Sequence, residues 1–419
     1  MKEEGNGIGS VFAVLAGYVL SATAFTLGGS IGNGLDFAGG LTAIITGNII
    51  LALYAGVMGY LCYKTRKNAG ETYKPVFGKK GSVLAVSVAG LFVILFCAVY
   101  CALVGNMTNA VFPGAPKWVG IAALFIFMTI TTAINMTGFK GISYFGKFAI
   151  PAILVFVVYG LIMIEKVNGF SNVLEAAPQF HMPVFAGISL VCASWMTGAT
   201  ISPDITRFVK KPGYIFIVTF AAFMCVAGLE SAGMFLSLAS GESDMVSALS
   251  VMGLGGAAYV LYLLLTLSSG APSIMLVCIS VINIFNIFPK QAEKAASGNV
   301  TAKTFIIPLS IVSTAGGLFL MLSNFTTTFI GIINVIGTAI PPIGGVVISH
   351  YLVIQSDFKK AFENMPDYNT AAFAAWGAGT AIGALVNWGI AALNGFFAAG
   401  ALYALISIAA KKKKGCRLT

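Results

Sequence analysis

Two short stretches of this 419-residue chain set hydroxyls, helix-disturbing residues and an aromatic face inside otherwise apolar runs. In SWMTGATISPD (194–204), Ser194, Thr197, Thr200 and Ser202 surround Gly198 and Pro203, and Trp195 adds a flat ring. In LTLSSGAPS (265–273), Ser268 and Ser269 precede Gly270 and Pro272. An unwound helix frees carbonyl and N–H groups that a bound ion or a polar solute can satisfy, and half-helix ends add fixed partial charge. Carbonyls with Ser or Thr hydroxyls form a hard oxygen cage suited to Na⁺, unlike the His and Cys clusters that hold transition metals. Ser268 and Ser269 could therefore complete a cation site against the first helix. The alternative is that they bond back to carbonyls one turn earlier, as serines in membrane helices often do.

A planar ligand needs a different surface. Trp195 and Phe96 stand near the same depth of their apolar runs and could stack on a flat heterocycle, or they could simply pack. Glu230, in AGLESAG, is the carboxylate placed deepest in an apolar run. An acid there is a candidate for proton coupling or for bracing a gate, and otherwise a protonated helix contact or a group near the outer water. Asp204 is a second carboxylate available to a proton route. His181 and His350 fall near the ends of apolar runs and read as interfacial. Six of the seven cysteines lie in or at the ends of such runs without metal-type spacing, as small buried hydrophobes do.

These groups need a membrane bundle to position them. The chain is 58% hydrophobic and 9% charged, with a mean hydropathy of +0.92, far from an ordinary soluble domain at roughly 25% charged. Apolar runs of this length are membrane helices, since each crossing of a core about 30 Å thick takes roughly 20 helical residues. Twelve crossings are expected, at 10–35, 38–63, 83–106, 118–137, 145–165, 183–203, 213–238, 255–287, 303–323, 327–354, 370–389 and 391–410. The first is no signal peptide, because Lys2 is offset by Glu3 and Glu4 and the apolar stretch is too long. With a cytoplasmic N-terminus, 22 of the 24 basic residues lie inside and only Lys117 and Lys166 outside. That bias predicts both termini in the cytoplasm and accounts for the +10 net charge without nucleic acid. Residues 411–419 form a basic tail that anchors this topology, with contact to anionic lipid as a lesser role.

No connector is long enough to fold separately, so residues 1–410 form one transporter domain. Gly28, Gly29, Gly32 and Gly34 late in crossing 1, and Gly198 with Pro203 in crossing 6, read as paired interruptions. Ser21-Ala22-Thr23 matches Ser194 to Thr197. Broken segments five crossings apart predict two inverted repeats, 10–165 and 183–354, with 370–410 appended.

SWMTGATISPDITRF (194–208) and AIPPIGGVVISHYLV (339–353) resemble the cytosine permease branch of the nucleobase:cation symporter family. GGSIGNGL (28–35), ITGNIILALYAG (45–56) and FGKKGS (77–82) add to the likeness. The resemblance implies an all-α, LeuT-type fold of five-plus-five helices with crossings 1 and 6 broken. It also implies alternating access and symport of a nucleobase-like ring with Na⁺ or H⁺. Carried over by position, a Na⁺ site would use the carbonyls of Gly17, Leu20 and Leu265 with the hydroxyls of Ser268 and Ser269. The substrate site would use Ser21, Val93, Phe96, Ser194, Trp195, Thr197 and Gly270. Cytosine permeases have Gln at the position of Val93, Trp at that of Phe96, and Asn at those of Leu265 and Gly270. Replacing those amides changes which ring edge the site can read.

The expected protein is thus a monomeric, multi-pass transporter of the cell membrane. It imports a flat, fairly apolar heterocycle with Na⁺, binds no cofactor and is not an enzyme. Closure would move the second half of crossing 10 around Pro341-Pro342 and Gly344-Gly345. The alternatives are a proton-coupled porter of the same fold using Glu230 or Asp204, and a membrane sensor that does not transport.

Overall fold

The computed structural model describes residues 7–241, 255–285, 302–323, 325–358, 360–386 and 388–413. Among them every regular element is a helix. In chain order these are α1 (Ile8–Val19), α2 (Ala22–Gly34), α3 (Phe37–Thr65), α4 (Ala69–Thr72), α5 (Lys74–Phe77), α6 (Ser82–Val111), α7 (Trp118–Met136), α8 (Phe139–Asn168) and α9 (Phe170–Glu175). There follow α10 (Val184–Ile201), α11 (Pro203–Thr206), α12 (Gly213–Ser240), α13 (Gly255–Phe285), α14 (Ile306–Leu322), α15 (Phe325–Ala339), α16 (Pro341–Ser349), α17 (Thr370–Leu385) and α18 (Ala391–Lys413). Among the described residues ten spans are long and apolar enough to cross a membrane, and the bent pair α1–α2 makes an eleventh. Each of the twelve expected crossings has a helix at its place, the one at 370–389 being a shorter helix of 16 residues.

Crossing 1 is cut, but not at its glycines. The chain bends by 53° between α1 and α2, where Leu20 and Ser21 are extended. Ser21 explains the cut: its Oγ accepts the Ala24 N–H at 3.2 Å and caps α2. Gly28 and Gly32, expected as part of the interruption, lie inside α2 and face α12. A Cβ on Gly28 would overlap the Glu230 carbonyl, and one on Gly32 would come within 2.8 Å of the Met234 carbonyl. From the other side, a Cβ on Gly233 would overlap the Phe25 carbonyl. Small residues let membrane helices meet backbone to backbone, so these glycines form a contact face.

The second expected break is also relocated. Residues 184–201 form one uninterrupted helix, and the interruption comes at Ser202, where Pro203 opens the single turn α11. The hydroxyls that suggested a breach instead bond back: Ser194 to Val191 O at 2.8 Å, Thr200 to Met196 O at 2.7 Å and Ser202 to Ala199 O at 3.1 Å. In lipid, such bonds keep a hydroxyl satisfied without unwinding its helix.

The connectors at 64–82 and 355–369 are interlocked. Lys79 N–H donates to Pro366 O at 2.8 Å, Lys80 N–H to Asp367 O at 2.9 Å and Asn369 N–H to Phe77 O at 2.9 Å. Tyr351 Oη donates to Thr72 O at 2.7 Å, and Tyr73 Oη to Thr200 O at 3.0 Å. Below α10, Asp204 Oδ1 accepts the Ala69 N–H at 2.9 Å. Burial pushes the Asp204 carboxyl up from its ordinary range, and the Arg207 guanidinium partly offsets this. His350 is buried, at 8% exposure, with Nδ1 2.8 Å from Tyr403 Oη, because the turn His350–Ile354 continues α16 against α18. His181 is exposed.

Candidate functional site

Cutting crossing 1 strips the last turn of α1 of its next helical donors, so carbonyls there point out of the helix end. α13 supplies what meets them. Ser268 Oγ lies 3.1 Å from Gly17 O, 3.0 Å from Leu20 O and 3.2 Å from Leu265 O. Ser269 Oγ lies 3.3 Å from Gly17 O and 2.8 Å from Leu20 O. Both serines are nearly inaccessible, at 2% and 0% exposure. Five oxygens therefore converge with only two hydroxyl protons among them, an electron-rich cluster of hard donors that fits a small alkali cation.

Beside the cluster stands the aromatic pair. Phe96 of α6 and Trp195 of α10 have ring centroids 6.4 Å apart and planes only 2° from parallel. Tyr18 of α1 meets Trp195 edge-on at 5.4 Å and 75°. Gly198 makes room, since a Cβ there would stand 2.9 Å from both Trp195 Cε3 and Tyr18 Oη. The face of Trp195 is thus set by α1, the helix whose end also carries the carbonyls of Gly17 and Leu20.

The other expected substrate residues are distributed unevenly. Ser21 Oγ is 2.6 Å from Thr23 Oγ1, at the break itself. Thr197 Oγ1 is buried without a hydrogen-bond partner, whereas Ser194 Oγ is occupied by Val191 O at 2.8 Å. Val93 is buried on α6, three residues before Phe96, and contributes only apolar surface. Gly270 points elsewhere: its Cβ position is 3.2 Å from Phe127 and 3.5 Å from Thr131, both on α7. Tyr100 was missed. Its hydroxyl lies beside those of Ser21, Thr23 and Ser269, touching both groups of residues. It stands four residues after Phe96, on the same face of α6, a spacing that would have singled it out.

A bundle whose first crossing is cut beside an oxygen cluster on the eighth is the architecture of LeuT-type secondary transporters. Solved structures of that fold superpose over nearly the whole chain. The nucleobase-cation-symport-1 family transporter Mhp1, closed with bromovinylhydantoin bound, gives a TM-score of 0.77 at 18% identity, covering 98% of this chain and 94% of that one. A Na⁺-coupled sialic acid symporter in a substrate-bound outward-open state gives 0.67 at 13%, covering 96% and 90%. The chain belongs to the family of permeases for cytosine/purines, uracil, thiamine and allantoin, whose model matches residues 3–406. The cytosine permease of Escherichia coli (strain K12) is 24% identical over 423 aligned positions, 99% of this chain and 94% of that protein. The protein is accordingly a multi-pass membrane transporter working by alternating access on small heterocycles, and not an enzyme.

Proposed function

We propose that the protein imports a flat, weakly polar heterocycle together with Na⁺. The observation that carries this reading is the set of five oxygens from Gly17, Leu20, Leu265, Ser268 and Ser269, where the two serines of α13 meet the carbonyls at the cut end of α1 at 3.3 Å or less and Ser268 also lies 3.2 Å from Leu265 O on its own helix. A cation there ties α1 to α13 and so favours conformations in which the two are close. A ligand shifts such an equilibrium only through different affinity for the two states. The ring would stack on Trp195 and Phe96, with Ser21, Thr23 and the unpartnered Thr197 hydroxyl reading its polar edge. Val93 offers no amide to that edge, and Gly270 faces α7, so a substrate with fewer hydrogen-bonding groups than cytosine suits the site. The basic loops favour cytoplasmic termini, which tags at each end, tested for protection in sealed vesicles, would check.

The decisive experiment is a thermal-shift screen of purified protein with nucleobases, hydantoins and ring precursors of vitamins, each in Na⁺ and in choline. Ligand binding to the native state raises apparent stability, so a ring that stabilises only with Na⁺ reports substrate and coupling ion together. Stabilisation that is equal in choline refutes Na⁺ coupling.

A further inference from the structure

Glu230 of α12 and Asn48 of α3 are both 0% exposed. Asn48 Nδ2 donates to Glu230 Oε2 at 2.6 Å and to Ile44 O at 2.9 Å, which uses both amide hydrogens. The amide cannot be turned over, because its oxygen would then lie against Ile44 O, an acceptor whatever the protonation of the carboxyl. Two buried atoms are left without partners, Glu230 Oε1 and Asn48 Oδ1. Both are acceptors when the carboxyl is ionised, so neither can satisfy the other. One proton on Oε1 would turn that atom into the donor that Oδ1 lacks, giving an acid–amide pair in which N–H binds Oε2 and O–H binds Oδ1.

Among the described residues no cation pairs with Glu230. The three ion pairs among the described residues lie elsewhere. Of the elements packed on α12, α2 has no titratable side chain and α1 has only Tyr18, whose hydroxyl lies at Gly198. α3 presents Asn48, and its next ionisable group, Tyr54, is turned to Thr200. The ionisable side chains of α8 and α9 are exposed. α10 contributes the thiol of Cys192 beside Glu230. An ionised carboxylate buried without a countercharge costs several kcal/mol, whereas the protonated acid–amide pair is neutral.

We propose that Glu230 is a proton-binding site of the transport cycle, holding its proton with Asn48 while α2 is packed on α12 and releasing it to water when the two part. Position supports this, because α2 covers this residue from one side, Gly28 lying against the Glu230 main chain with no side chain between, while the carboxyl is turned to Asn48 of α3. Separating α2 from α12 lets water reach the carboxyl, and closing them requires the proton back. The inference rests on alternating access alone and not on the Na⁺ or substrate assignments, so it stands or falls separately from them.

The test is infrared difference spectroscopy of the purified full chain near neutral pH, with Glu230→Gln and Asn48→Leu as comparisons. Glutamine can make the same two bonds to Asn48, so E230Q should fold normally. Wild-type protein should show a protonated-carboxyl band that is missing in E230Q and shifted in N48L. Hydrogen exchange of residues 22–34, corrected for intrinsic rates, should rise several-fold with pH in wild type and stay flat in E230Q. Absence of the band in wild type, an unmoved band in N48L, or equal pH response of exchange in both proteins would each overturn the proposal.

Discussion

Ser269→Ala is the sharpest probe of the oxygen cluster. Ser269 Oγ sits 2.8 Å from Leu20 O and 3.3 Å from Gly17 O at a fully buried position. The substitution takes away one of the five converging oxygens and leaves the other four in place, since Ser268 still reaches Gly17, Leu20 and Leu265. Without cation the protein loses a hydrogen bond to a carbonyl, about 1 kcal/mol. With cation it loses a charge-facing ligand, about 2 kcal/mol, or roughly 30-fold in affinity. At a Na⁺ concentration about 100 times the wild-type dissociation constant, linkage stabilises the native state by about 2.7 kcal/mol, and a 30-fold weaker site would retain about 1 kcal/mol. The assay is the unfolding temperature as a function of Na⁺, with choline balancing ionic strength, and Ser269→Thr as a control that keeps the oxygen. Half-saturation should move upward by that factor in the alanine variant and much less in the threonine one. If the alanine variant keeps wild-type half-saturation, these oxygens are not the cation site.

Four further outcomes are expected. Trp195→Ala should weaken binding of the transported ring by about 1–3 kcal/mol, the range for a lost stacking face, while Na⁺-dependent stabilisation persists; equal loss of both would show that the ring only holds the fold. Gly198→Ala places a Cβ 2.9 Å from Trp195 and Tyr18, and equilibrium binding should show reduced affinity for the ring through a displaced Trp195. Asp204→Ala leaves the buried Ala69 N–H without its 2.9 Å acceptor; thermal unfolding should report about 1–3 kcal/mol of destabilisation, and an unchanged midpoint would contradict the docking of α4. The Lys80 ammonium, hydrogen-bonded to Asp367, holds that exposed carboxyl below its usual range. Its contribution is present above the ordinary aspartate range and lost as pH falls through the lowered value. Because backbone bonds already hold 366–369 to 77–81, Asp367→Asn should leave the neutral-pH unfolding midpoint unchanged within error.

The crossings were legible because lipid demands long apolar runs and satisfied backbones, and both leave plain marks in sequence. The interruptions were legible only in part. Glycines in α2 resemble helix breakers on paper, and only the opposing backbone of α12 shows that they are contacts. Ser21 is an ordinary N-cap residue, hidden in a run of small residues without a proline. In α10 the hydroxyls were read as disruptive, although a buried Ser or Thr can bond to its own helix. Gly270 shows the limit of positional transfer, since a position can be kept while the direction it faces is unreadable without a partner helix. Asn48 escaped notice because its partner lies 182 residues away.

The glycine face between α2 and α12 also has a consequence for variation. With carbonyls seated where side chains would be, neither helix can slide or rotate along the other while they are packed, so the two faces can only stay together or part cleanly. Positions 28, 32 and 233 touch neither the oxygen cluster nor the stacked rings. In a survey of single substitutions they should nonetheless be among the least tolerant in the chain, so that a map of intolerance would draw this contact face before it drew the binding site.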